Sequence, residues 1–331
     1  MELLGKIGLP LSWIYGAVVK LRNFLFDIGF FKSVAFKTTT VCIGNLSVGG
    51  TGKTPMTEFI LEHYQGHRKL AVLSRGYGRK STGTVRAVPG IKVEDLGDEP
   101  YQIYTKFPDV TVVVDADRRK GIRWLENEVG PDMILLDDAF QHRKVLPTFS
   151  ILLTSFGNPY TDDLYLPSGR LRDDREQAKR AHIIIVTKCP LDLDAGARAA
   201  IVGKLRPEAQ QQVLFSGLEY DLQLKGTDTT KTLHDLSGSS IRLVTGIADP
   251  GPLVDHLGKQ GISFEHLRYA DHHFFTQREL DAINAKGGPV LTTEKDYMRL
   301  KGKVGGLYYI GVRHKFLGDD KERLITALDA L

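Results

Sequence analysis

Residues 47–54, SVGGTGKT, set three glycines beside a lysine and a threonine, the residue types that cradle a phosphate chain. Gly49, Gly50 and Gly52 let the backbone turn tightly with its N–H groups inward. Ser47, Val48, Gly49, Gly50, Thr51, Gly52, Lys53 and Thr54 are therefore a candidate triphosphate loop. Lys53 would reach the β- and γ-phosphates and Thr54 would ligate Mg²⁺. The strict pattern GxxxxGK[ST] asks for glycine where this chain has Ser47. The flanks supply the context the motif needs: a β-branched run at 38–43 before it, and after it Pro55 with Met56, Phe59, Ile60 and Tyr64 on one helical face.

Other groups fit the same chemistry. The apolar run 133–136 ends in Asp137 and Asp138, two carboxylates at a strand end, where an NTPase holds Mg²⁺ directly or through water. Phe140, Gln141 and His142 follow and would line the same cleft. Asp98 and Glu99 stand in a turn before a helix; Asp98 suits an N-cap, and equally a carboxylate that accepts the proton of an attacking hydroxyl. In Asp271-His272-His273 the adjacent histidines point apart and no other Cys or His lies at ligand spacing, which excludes a zinc site and leaves a surface turn or a proton relay. Arginines recur in shaped loops, at Arg75 and Arg79 around Gly-Tyr-Gly, at Arg118, Arg119 and Arg123, and at Arg170 and Arg172 after Pro-Ser-Gly. Such forks suit phosphate.

The elements that position these groups follow from the pattern. Short apolar runs at 39–43, 70–73, 110–114, 133–136, 149–153 and 182–187 alternate with helical stretches, which predicts a parallel sheet covered by helices on both faces, with ligands at the carboxyl ends of the strands. The polar segment 221–240 reads as connecting strands or loops, and a smaller α/β pattern follows, with strands at 241–245, 262–268, 290–292 and 307–310. The division expected is a helix over 1–37, a kinase-type core over 38–240 and a lobe over 241–331 closing over the site. With 42% hydrophobic and 25% charged residues, the chain has ample material for a soluble-type core. Cys42 and Cys189 are packing residues suited to a reducing compartment.

Residues 9–31 form an amphipathic helix, with Leu11, Ile14, Val18, Leu21, Leu25 and Ile28 on one face and Ser12, Gly16, Lys20, Asn23 and Asp27 on another. Its twelve Leu, Ile, Val and Phe residues gain roughly 6 kcal/mol together on a bilayer-insertion scale, whereas Lys20, Arg22 and Asp27 cost about 2.5–3.5 kcal/mol each. Lying in the interface suits it better than spanning.

The succession SVGGTGKTP, SRGYGRK, GDEP, DADRR, LLDDAFQH, PSGRLRD, VTKCP, DHH and TTEKD resembles the tetraacyldisaccharide 4'-kinases over about 42–296. The resemblance implies a P-loop fold with an added C-terminal lobe and an N-terminal membrane-associating helix. It implies transfer of the ATP γ-phosphate to the 4'-hydroxyl of a tetraacylated glucosamine disaccharide 1-phosphate, giving lipid IVA, at the cytoplasmic face of the bacterial inner membrane. Carried over motif by motif, Asp98 handles the hydroxyl proton with His272 as its partner, Lys53 meets the phosphates, and Thr54, Asp137, Asp138 and Glu99 make the Mg²⁺ shell. Arg75, Arg79, Arg119, Gln141, Arg170 and Arg172 line the site. Ala139 stands where the family more often has glycine, and Asp173 where glutamate is commoner.

Other classes fare worse. A partitioning-type ATPase needs a lysine where this chain has Val48, and a guanine-reading loop at Thr187-Lys188-Cys189 lacks its aspartate. A net charge of +4 is too small, and aromatics are not interleaved as base stacking requires, so no nucleic-acid partner is expected. No obligate protein partner is evident from the sequence.

Overall fold

The computed structural model describes residues 2–226, 231–236 and 238–331, with side chains from residue 8 onward. In chain order the elements begin α1 (Glu2–Asp27), β1 (Thr39–Asn45), α2 (Lys53–Tyr64), β2 (Leu70–Ser74), β3 (Val85–Arg86), α3 (Val93–Leu96), α4 (Asp98–Lys106), β4 (Thr111–Val114) and α5 (Arg118–Glu128). Next come β5 (Met133–Asp137), β6 (Phe149–Ser155), β7 (Ile183–Thr187), α6 (Ala195–Leu205), β8 (Gln212–Gly226) and β9 (Lys231–Thr232). The chain ends with β10 (Ile241–Thr245), α7 (Gly251–Lys259), β11 (Phe264–Arg268), α8 (Gln277–Ala285), β12 (Val290–Thr293), α9 (Glu294–Leu300), β13 (Leu307–Phe316) and α10 (Asp320–Asp329).

Among the described residues the strands form one sheet in the order β11-β10-β12-β13-β8-β7-β6-β1-β5-β2-β4-β3, with β9 on β8. Strands β4, β2, β5, β1, β6 and β7 are all parallel, and every residue of β2, β5 and β7 is buried, so they read in the sequence as unbroken apolar runs. The first core packs Val41, Ile43, Ile60, Val72, Val112, Leu135 and Ile185 on one side of this sheet. Cys42 and Cys189 are free and buried on the other, where burial pushes both thiols up to about 12. Because β1 lies between β5 and β6, the turn after β1 opens beside the carboxyl end of β5, and Ile43 pairs directly with Asp137.

The long strand β8 joins the two halves. Its first residues pair in parallel with β7, and from Ser216 onward it runs antiparallel to β13. The stretch 221–240 thus opens on the end of this strand and continues as β9 and a turn at His234–Leu236; its residues 227–230 and 237 lie outside the described residues. The last helix returns to the first half: Leu324 and Leu328 of α10 are fully buried in the core with Val41 and Ile60, and Tyr64 donates to Asp329 at 2.7 Å.

Helix α1 starts earlier than its periodicity suggested, at Glu2, and ends at Asp27, before Gly29 takes a left-handed turn. Its expected apolar face points outward, while Val19 and Phe26 are buried beside the polar Ser12 and Asn23, and Lys20 and Asp27 stay exposed. Ser12 and Asn23 are buried against the body, whereas Leu11, Trp13, Ile14, Val18, Leu21, Phe24 and Ile28 are each more than half exposed. Gly16 allows the close approach: a Cβ there would lie 2.7 Å from the Tyr165 ring. Among the described residues no helix is long and apolar enough to cross a membrane.

Candidate active site

The glycine loop lies where its motif requires, between β1 and α2. Gly49 and Gly52 have positive φ, +117° and +85°, and Gly52 is the N-cap of α2 with no side-chain cap, so the first N–H groups of that helix face the loop. Val48 N–H donates to Arg170 O at 2.7 Å, tying the loop to the Pro-Ser-Gly segment, while the buried Ser47 Oγ has no partner. Asn45, at the end of β1, donates to Thr51 Oγ1 at 2.9 Å, and Thr187, at the end of β7, donates to Thr51 O at 2.9 Å.

Lys53 reaches across to Asp138 Oδ1 at 3.8 Å. Arg172 grips the same carboxylate with two nitrogens, at 2.7 and 3.1 Å, and also donates to Asn45 Oδ1. Burial would raise the Asp138 carboxyl, but Lys53 and Arg172 hold it down at about 2. Asp137 differs. It is buried, its Oδ1 has no partner, and burial together with the charges of Asp138 and Glu99 pushes it up to about 7. A buried carboxylate oxygen lacking a donor, beside a second acid that already has two cations, is the feature a divalent ion would satisfy. Among the described residues no three His, Cys, Asp or Glu converge on one ion; Mg²⁺ does not need them, since it uses one or two carboxylates, a hydroxyl and substrate phosphate. The residues present, with Thr54 half-buried at the start of α2, fit that ion.

Asp98 is not an N-cap. Gly97 occupies that position, and Asp98 is the buried first residue of α4, where a negative charge suits the helix dipole. Its Oδ2 lies 2.8 Å from His272 Nδ1, and Arg299 of α9 holds both oxygens, Nε to Oδ1 at 2.9 Å and NH2 to Oδ2. Burial would push Asp98 up, but the hydrogen bonds from His272 and Arg299 hold it well below the usual carboxylate range. His272 has φ +59°, a left-handed backbone that costs a non-glycine residue roughly 1–3 kcal/mol. Its Nε2 lies 3.0 Å from Lys295 Nζ and 3.7 Å from Glu99 Oε1. Lys295 also pairs with Glu99 at 3.1 Å. With Nδ1 against a carboxylate and Nε2 against an ammonium, the pattern assigns the proton of a neutral imidazole to Nδ1.

The remaining arginines divide. Arg79 donates to Ser81, Gly83 O and Val114 O, holding its own loop, and Arg119 is paired with Asp117 at 2.8 Å. Arg75 and Arg170 are exposed. Gln141 donates to Asn45 O at 2.6 Å beside the glycine loop, whereas His142 lies 3.9 Å from Asp117, and burial with Arg118 pushes it down to about 4. Asp173 is wholly buried and accepts from Asn23 of α1 at 2.7 Å, so its short side chain fits the docking of that helix. Tyr15 and Arg22 of α1 donate to the backbone of Arg172 and Gln141, which seats the helix directly behind the site.

Arg299, Lys295 and Asn45 were not singled out from the sequence, and Thr187 was weighed only as part of a guanine-reading loop. Lys295 and Thr187 sit inside the quoted TTEKD and VTKCP motifs, and Asn45 lies two residues before the loop. Arg299 carries no local signal, since its partner is 201 residues away.

Comparison with known proteins shows the family of the chain. A tetraacyldisaccharide 4'-kinase of Flavobacterium johnsoniae is 45% identical over 333 residues, covering 99% of this chain and 97% of the relative. One of Bacteroides thetaiotaomicron is 41% identical, covering 96% and 86%. A crystal structure of LpxK from Aquifex aeolicus in complex with ATP superposes with a TM-score of 0.78 at 28% identity, covering 98% of both chains. The family model for LpxK, tetraacyldisaccharide-1-P 4'-kinase, matches residues 4–331, and the chain belongs to that family.

Proposed function

We propose that this chain, an ATP-dependent kinase of lipid A biosynthesis, transfers the γ-phosphoryl group to the 4'-hydroxyl of tetraacyldisaccharide 1-phosphate with Lys53 and the Asp98–His272 pair on opposite sides of the reacting phosphorus. The observation that carries this is the 2.8 Å contact of Asp98 with His272 across α4 and the second lobe, beside Glu99, whose charge acts on Asp137 of the phosphate site. The hydroxyl oxygen attacks the γ-phosphorus, the bond to the β,γ-bridging oxygen breaks, and ADP leaves. The hydroxyl proton passes to the Asp98–His272 unit. Asp98 is buried and held by Arg299, so His272, a quarter exposed, is the proposed proton acceptor through Nε2, the nitrogen that Lys295 faces at 3.0 Å, and Asp98 orients the ring. Lys53 and the N–H groups of residues 47–54 neutralise the transferring phosphoryl group. Asp137, Asp138, Thr54 and Glu99 would hold Mg²⁺, which when bound neutralises charge on the β- and γ-phosphates. Arg75, Arg79, Arg119, Gln141, Arg170 and Arg172 are proposed to bound the acceptor and phosphate side.

The lipid acceptor accounts for the outward apolar face of α1. A four-chain substrate stays in the bilayer, so the enzyme rests α1 in the cytoplasmic membrane surface and offers its cleft at headgroup level. The lobes 38–240 and 241–331 are part of the same proposal, with α10 of the second lending its apolar face to the core of the first. The test is incubation of purified protein with Mg-ATP and the disaccharide 1-phosphate. One added phosphate on the 4'-position by mass and fragmentation is expected; ATP consumption that ignores the lipid would refute the reading. For the membrane, Val18→Glu with Leu21→Glu, both at exposed positions, should abolish flotation with anionic vesicles while leaving the circular dichroism spectrum unchanged.

A further inference from the structure

The glycine loop is fixed by buried polar side chains from three strands. Asn45 of β1 and Thr187 of β7 hold Thr51, and the third, His314 of β13, lies 2.9 Å through Nε2 from the carbonyl of Gly52. We propose that His314 is a positioning residue of the phosphate loop, its Nε2–H holding the Gly52 carbonyl so that the Gly52–Lys53 peptide and the first turn of α2 stay aimed at the nucleotide.

The geometry is specific. Gly52 is left-handed, with φ +85° and ψ 27°, and no side chain caps α2, so the orientation of its peptide rests on what its carbonyl accepts. That oxygen takes the Met56 N–H at 3.0 Å and the His314 N–H, filling both lone pairs. A Cβ at Gly52 would lie 3.0 Å from His314 Cε1 and Nε2, so the ring is also the wall against which the loop is pressed. On its other side Nδ1 lies 2.9 Å from Ser216 Oγ, a fully buried hydroxyl of β8. Since Nε2 faces a carbonyl it carries the hydrogen, and Nδ1 accepts from Ser216, which fixes one tautomer. Burial pushes His314 down to about 4, so this neutral form persists at neutral pH.

His314 is opposite Leu218 of β8, and the same strand β13 pairs through Leu307–Ile310 with β12, the strand that leads into α9 and Arg299. The nucleotide loop is thereby tied to the strand that carries the second lobe's side of the site. A histidine that merely fills the core would stabilise the fold without discriminating between substrates, which separates the two roles by experiment.

His314→Phe keeps the ring volume and removes the donor. Rigid placement of the loop through one buried hydrogen bond is worth about tenfold in equilibrium, so KM for ATP and the Kd for ATP should each rise about tenfold, with KM for the lipid acceptor unchanged. His314→Gln, which restores an N–H donor, should recover most of the loss. Should His314→Phe fail to fold, Ser216→Ala, which frees the tautomer, should raise the Kd for ATP about threefold on a folded protein. Wild-type ATP affinity in folded His314→Phe, or in Ser216→Ala where that protein cannot be obtained, or a Gln variant no better than Phe, overturns the inference. The inference rests on the kinase reading; failure of the wild type itself to bind ATP would refute that reading instead.

Discussion

Arg299→Met is the perturbation whose effect follows most directly from the structure. Arg299 is 3% exposed and gives two hydrogen bonds to Asp98, one to His273 O at 3.2 Å and one to Asp296 at 3.4 Å. Methionine fills most of the volume but leaves Asp98 buried with His272 alone, and Asp296, wholly buried, without its cation. Hydrogen bonds to charged partners are worth about 1.5–3 kcal/mol each, and breaking a buried ion pair by removing one member costs about 3–5 kcal/mol. A loss of about 4 kcal/mol is therefore expected at pH 7.5, read as a fall in the urea midpoint at unchanged slope. Adding Asp98→Asn removes the stranded charge, so the double variant should regain about 2 kcal/mol over Arg299→Met, a coupling that only direct partners show. Turnover should fall with Arg299→Met as well, because His272 loses the fixed carboxylate that orients it. A loss below 1 kcal/mol, or losses that simply add in the double variant, would refute the reasoning.

Three further outcomes follow from the same geometry. Lys53→Ala should lower kcat by about 10²–10³ at saturating ATP and lipid, because the transferring phosphoryl group loses its nearest fixed cation; near-wild-type turnover would sink the assignment. Asp137→Asn removes the only partnerless carboxylate oxygen of the strand end, so its Mg²⁺ titration should move to higher concentration, whereas an unchanged titration would withdraw Asp137 from the ion's shell. His314, neutral in the fold with its pKa lowered to about 4, takes a proton in the unfolded chain near pH 6.5. Its contribution is thus present above pH 6.5 and lost as pH falls toward 4, by up to about 3 kcal/mol, and the stability difference between wild type and His314→Gln should shrink over that window.

What the sequence alone determined was whatever is local. The parallel strands announce themselves because burial on both faces forces continuous apolar runs, so β1, β2, β5, β6, β7, β10 and β12 lie within two residues of their expected spans. The glycine loop and Asp137-Asp138 are legible because a strand, a tight turn and a helix are consecutive, and the acid pair ends an apolar run. Strand β8 was missed because it is buried at its start and half-exposed further on, so neither a continuous nor an alternating pattern survives over its length. Periodicity revealed two faces on α1, but periodicity has no outside: that Ser12 and Asn23 are buried while the face with Leu11, Ile14, Val18 and Leu21 is exposed was decided by Asp173 and the backbone of 168–172, more than 140 residues away. Asp98 was legible as an acid in a turn, yet its state depends on Arg299 and His272, which reach it only when α9 and the segment before α8 pack on α4. His314 and Gly52 are 262 residues apart, and nothing near either predicts the other. Spacing could therefore mark the glycine loop and the acid pair as candidate groups, because each is a run of consecutive residues at one strand end. Which side chains hold them in place is a property of long-range packing, and only the folded chain brings them within hydrogen-bond reach.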